Sequence, residues 1–93
     1  SYRSIEGRRI AYPRVHVEAD YQAALRYDDV IEIDVGVERI GHCSFTLDFR
    51  ALLDGRPAAK GKIVIAAMDH DTQRACPLPA QLGDCLRPYL RSP

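Results

Sequence analysis

The side chains able to do chemistry are spread along the chain and do not form one compact motif. Asp28 and Asp29 are adjacent carboxylates, the residue type that general acid–base catalysis uses. They follow Tyr27 in a segment that reads as a turn, where Asp side chains bond nearby backbone N–H groups. Asp69-His70-Asp71 contains metal-ligand types, but adjacent turn residues rarely converge on one ion without further ligands, so no metal site is expected. Cys43, Cys76 and Cys85 are odd in number, widely spaced and lack a CxxC pair. That argues against a disulfide scaffold or a zinc site and fits a reducing, cytoplasmic setting. Cys43 falls on an inward strand face and reads as a small core residue; Cys76 and Cys85 have no base at a recognisable spacing. Ser44 has no GxSxG elbow around it. His16 lies on the polar side of a strand, as a cross-strand partner or as a pocket or interface residue.

The elements that must position these groups are mostly strands. Over residues 14–21, Val15, Val17, Ala19 and Tyr21 alternate with Arg14, His16, Glu18 and Asp20, the period-two mark of a strand with one buried face. Residues 30–40 repeat it, with Ile31, Ile33, Val35 and Val37 inward, and Gly41-His42 forms a tight connection. Cys43, Phe45, Leu47, Phe49 and Ala51 make the next inward set. Asp54-Gly55 is a strong hairpin signal, and residues 58–68 supply a last strand apolar enough to sit centrally. Asp69 to Thr72 reads as a polar turn. Residues 79–90 read as a short helix with a leucine stripe at Leu78, Leu82, Leu86 and Leu90, limited by Pro88. The polar stretch before Pro13 reads as the tail of a helix with Gly7 near its C-cap, and Pro13 fixes an entry into extended backbone. The expected fold is α+β: about four antiparallel strands and a short C-terminal helix in one domain over residues 1–93.

A chain of 93 residues makes one small domain at most and is marginal unless something covers its sheet. Its 13 basic and 13 acidic residues give zero formal charge, with no face-sized cationic run. Nucleic acid is therefore not the expected partner, and self-association is favoured over repulsion. No apolar run approaches the length that spans a bilayer, so no membrane partner is expected.

Taken in order, several segments resemble the hotdog-fold acyl-CoA thioesterases of the 4-hydroxybenzoyl-CoA thioesterase type. They are the Pro13 entry, the V-x-V-x-A-x-Y strand from Val15 to Tyr21, Arg26-Tyr27-Asp28-Asp29-Val30, Val37-Glu38-Arg39-Ile40-Gly41, Ser44-Phe45, Ala59-Lys60-Gly61 and Pro77-Leu78-Pro79. The resemblance runs from about Ile10 to Leu90. It implies an antiparallel sheet wrapped around a long helix, subunits paired edge to edge as a homodimer or homotetramer, and hydrolysis of an acyl-CoA or acyl-carrier-protein thioester. No cofactor is implied beyond the CoA of the substrate.

The family's catalytic carboxylate lies in a loop after a first strand or on the central helix, and its oxyanion donor is a backbone N–H at that helix's N-terminus. None of these matches a position here, so no catalytic residue is carried over. The resemblance implies that the first strand, the catalytic loop and most of the central helix belong to a segment before Ser1. It assigns Tyr12 and Pro13 to the acyl-pocket wall. It places Arg39 and His42 in a turn where some members hold the CoA phosphates, against a solvated turn histidine for His42 and ordinary packing for Tyr12. Arg8, Arg9 and Arg14 are the basic residues available to an acidic carrier protein. Two other readings stand beside hydrolysis. One is a non-catalytic hotdog module for acyl binding or dimerisation. The other is a hotdog dehydratase, which needs a His and an acid in a catalytic helix that these residues do not show.

Overall fold

The computed structural model describes residues 2–5 and 8–91. Its strands are β1 (Tyr2–Ile5), β2 (Arg8–Ala11), β3 (Arg14–Tyr21), β4 (Ile31–Ile40), β5 (Ser44–Leu53), β6 (Arg56–Ala66) and β7 (Met68–Asp69). Helix α1 (Ala80–Leu86) and a 3-10 turn (Arg87–Tyr89) follow. β3-β6-β5-β4 form one antiparallel sheet and β1-β2-β7 a second, smaller one.

The large sheet is the expected one, and its turns explain its order. Asp54 and Gly55 have φ values of 52° and 77°, the left-handed backbone that a two-residue hairpin turn requires. β5 and β6 therefore pair directly, and the apolar run Ile63-Val64-Ile65 lands in a central strand between β3 and β5. Asp29 closes the turn before β4: its carboxylate accepts from the Arg26 N–H at 2.6 Å, and its own N–H donates to the Arg26 carbonyl at 3.1 Å. Asp29 is thus turn chemistry, and Asp28 is an exposed residue of the same turn.

The lead-in departs from expectation. Residues 2–5 and 8–11 are two antiparallel strands, not the tail of a helix, and Gly7 lies outside the described residues. β2 finds a partner in β7, and that ladder supplies hydrogen bonds that a short polar helix end would leave to water. The helix also stops early. Pro88 has no N–H and its ring opposes the carbonyl four residues before it, so α1 gives way to a 3-10 turn after Leu86.

Burial shows the incompletely covered apolar face that the sequence led one to expect. Register places Val17, Ile63, Leu47 and Val37 in one cross-strand row and Ala19, Gly61, Phe49 and Val35 in the next. A third row holds Tyr21, Ala59, Ala51 and Ile33. The alternation predicted this face correctly, yet only part of it is covered. Val37 is 2% exposed, whereas Ile33 is 64% and Val17 59% exposed. α1 and the 3-10 turn pack only against β4, so the strand periodicity marks a face suited to burial without supplying what buries it. No long helix occurs among the described residues.

The opposite face is charged. Lys62 reaches Glu38 at 3.2 Å. Arg91 extends over it from beyond the 3-10 turn: its N–H donates to the Val37 carbonyl at 2.9 Å and its guanidinium holds Asp34 at 3.1 Å and also Asp48. Those carboxylates raise the Arg91 pKa, the hydrogen bond to Asp48 most. Gly36 leaves room for this side chain, since a Cβ there would lie 2.6 Å from the guanidinium carbon.

Candidate functional site

Tyr12, Pro13, Arg39 and His42 come from two segments far apart in sequence, and the end of β6 draws those segments toward one end of the molecule. Pro13 links β2 to β3, and its carbonyl accepts from the Ala66 N–H at 3.0 Å. The next residue, Ala67, donates to the Cys43 carbonyl at 2.8 Å, beside His42. One β-strand end is therefore hydrogen-bonded to both candidate segments. A second connection runs through Leu78: its N–H donates to the His42 carbonyl at 2.8 Å, and its half-buried side chain packs with Tyr12 on the buried cluster of Ile10, Ala67 and Cys76.

Tyr12 and Pro13 are half-buried, so each forms part of a wall rather than a free surface. Arg39 and His42 are exposed. Arg39 lies just past a bulge at Glu38 and opposite Thr46, and the Gly41 N–H donates to the Ser44 carbonyl at 2.7 Å, which pinches the His42 turn tight. The result is an apolar wall on one side and two solvent-facing basic side chains at a turn nearby. An apolar wall is the surface type that suits an apolar group, and exposed basic side chains are the type that suits an anion. Among the described residues the site contains no paired carboxylates and no nucleophile–base pair.

The other chemistry-bearing groups are occupied structurally. The Asp69 carboxylate accepts from the Asp71 and Thr72 N–H groups at 2.9 and 3.0 Å, while Asp71 pairs with Arg9 at 2.5 Å. Cys76 is buried in the small cluster; Cys43, expected on an inward strand face, is half-buried in the bend just before β5; Cys85 is exposed on α1. A hollow of about 470 Å³ lies elsewhere, in the middle of the large sheet, lined by alternating charges that include Glu18, Asp48, Arg50 and Lys62. Sequence reasoning missed Leu78 and the Ala66-Ala67 end as the connectors of the site. Two alanines carry no side-chain signal, and Leu78 read as the start of a helical stripe and as part of Pro77-Leu78-Pro79, neither of which points to Tyr12 or His42.

This sheet, its short helix and an apolar face built to be wrapped define a hotdog fold of the kind found in thioesterases. The thioesterase-like superfamily matches residues 1–86, and the chain belongs to that family. It is 35% identical over 70 residues to a 1,4-dihydroxy-2-naphthoyl-CoA hydrolase from Synechococcus sp. (strain CC9605), covering 75% of this chain and 47% of that protein. A protein of the same name from Prochlorococcus marinus (strain NATL2A) is 33% identical over 74 residues, covering 80% and 48%. The structure of a predicted thioesterase from Bacillus stearothermophilus superposes with a TM-score of 0.81 at 29% identity, over 88% of this chain and 62% of that one. The chain thus spans about half the length of the curated relatives it matches.

Proposed function

We propose that the protein containing this chain hydrolyses an acyl-CoA thioester to a free acid and a thiol. The observation that carries this reading is the similarity to CoA-thioester hydrolases across three quarters of the chain. The wall of Tyr12 and Pro13 with Arg39 and His42 beside it agrees with an acyl group at the wall and CoA phosphates at the turn. The names of the relatives make an aromatic acyl group the first to test, with an acyl-carrier protein as the other thioester donor. In this reading the carboxylate that activates water belongs to a part of the protein outside these 93 residues, as does a helix that covers Val17, Ile33 and Val35. The working protein is a cytoplasmic homo-oligomer of the 4-hydroxybenzoyl-CoA thioesterase type, its subunits joined edge to edge.

The test is to incubate the full-length protein with aromatic, short-chain and long-chain acyl-CoA substrates and follow thiol release. Turnover of an aromatic acyl-CoA is expected. Release at background rate across the whole panel would sink the proposal. Within an active enzyme, substituting Arg39 and His42 together by Ala should raise KM several-fold with little change in kcat, because contacts to a remote phosphate are shared by ground and transition states.

A further inference from the structure

One continuous segment fastens the turn that carries Arg39 and His42 from both sides. At its start the Leu78 N–H donates to the His42 carbonyl at 2.8 Å. At its end Leu90 bridges β4 at Val37, and the Arg91 N–H donates to the Val37 carbonyl at 2.9 Å. Arg39 and His42 therefore lie on a stretch, residues 37–42, whose two ends are tied to residues 78 and 91. Between those ends the β4–β5 ladder shifts register at Glu38, and a bulge of this kind leaves a residue unpaired. The ladder is thus interrupted beside Arg39.

The segment does not hold this position by its own helicity. α1 has seven residues, its N-cap Pro79 makes no side-chain cap, and the 3-10 turn follows at once. A helix that short is not stable alone in water. Its far end is fixed by charge. The cross-strand row of Glu18, Lys62 and Asp48 ends at Gly36, and the Arg91 guanidinium fills the place above that glycine. There it holds Asp48 and, at 3.1 Å, Asp34. The Arg91 and Asp48 side chains are 24% and 17% exposed, so water and salt screen this pair less than the more exposed pair of Lys62 and Glu38.

We infer that Arg91 is a positioning residue: by locking residues 78–91 as a strap across β4, it keeps Arg39 and His42 ordered for the phosphates of a CoA thioester. The inference rests on the functional reading above, and Arg91 acts through the turn rather than on the substrate. An ordered turn has less freedom to lose when the ligand binds. Release of Arg91 therefore weakens the grip on phosphate. It leaves the chemical step alone, because a remote phosphate is held equally in the ground and transition states.

In the full-length protein, Arg91→Ala is expected to raise KM for an acyl-CoA about fivefold and to leave kcat nearly unchanged. The same acyl group carried on pantetheine, which has no phosphate, should be hydrolysed with a KM that the substitution does not change. A general loss of packing would move both substrates alike. In an enzyme with Arg39→Ala and His42→Ala, adding Arg91→Ala should cost nothing further. An unchanged KM for acyl-CoA, an equal rise for both thioesters, or a further rise in that background overturns the positioning role. Hydrogen exchange reads the strap without turnover. Arg91→Ala should speed exchange at the Gly41 and Leu78 amides, which donate to Ser44 and His42, and leave the β5–β6 ladder as it was. The whole side chain is removed because Asp34 still holds the guanidinium when Asp48 alone is weakened. Unchanged exchange at Gly41 and Leu78 overturns the strap whatever the activity. Background thiol release by the wild-type protein from every acyl-CoA overturns the functional reading and the phosphate role with it, while faster exchange at those two amides would still support the strap.

Discussion

Ile10 and Ile33 are both isoleucines in β-strands, yet Ile10 is 1% exposed and Ile33 is 64% exposed. Ile10 belongs to the small sheet, where β7 and the segment through Cys76 fold back and close a cluster with Ala67. Ile33 belongs to the large sheet, which has far more strand pairing but lacks a cover over its middle. Hydrogen-bonded pairing and apolar burial are thus separable: the ladder orders the backbone, while the hydrophobic contribution requires a second layer. The small sheet carries its own second layer, and the large sheet presents a surface that calls for one.

Substitutions can break this comparison. The largest effect is expected at Ile10→Ala, which should lower unfolding free energy by about 3 kcal/mol in a urea titration, the cost of an unfilled buried site. Gly61→Val comes next. A Cβ there would lie 2.3 Å from the Phe49 ring and 2.5 Å from the Glu18 carbonyl, so backbone must shift, at about 2 kcal/mol. Ile33→Thr in the isolated chain should change stability by no more than about 0.5 kcal/mol, as at an uncovered surface. A loss at Ile33 as large as that at Ile10 would show the face to be covered in solution. A smaller effect is expected at Asp48→Asn, which loosens the hold on Arg91 and should speed hydrogen exchange at the Arg91 amide, with little change elsewhere.

The smallest effect is electrostatic. Glu18 is held below its ordinary pKa in the folded chain, so its stabilising contribution is full above that ordinary value. The contribution is lost as pH falls through the folded value, on the acid side of about pH 4.5. Glu18→Gln should flatten the acid limb of the stability profile slightly, and an unchanged limb would mean that the His16 contact is not populated in solution.

The strands from Arg14 to Ala66 were legible because alternation with a period of two is a local property, and Asp54-Gly55 announces its turn through backbone preference alone. The hairpin of β1 and β2 was not legible. Its strands have four residues each, carry no clear alternation and owe their pairing to β7, more than fifty residues away. The candidate site was legible as two segments, Tyr12-Pro13 and Arg39 to His42, but not as one place. What connects them is a set of backbone hydrogen bonds from Ala66, Ala67 and Leu78, and backbone groups are the same for every residue type.

The amino-acid sequence by itself determined where the strands of the large sheet run, which face of each is apolar, where that sheet turns and which family the chain resembles. The first three follow from short-range sterics and periodicity, while the resemblance rests on particular residues in a particular order. Only the tertiary structure decided that Val37 is buried and Ile33 is not, that the Tyr12 and His42 segments lie at one end, and that Leu90 bridges the β4 edge at Val37. Those outcomes depend on which distant segment occupies the space beside a strand, and solvent exclusion is a property of the assembled layers.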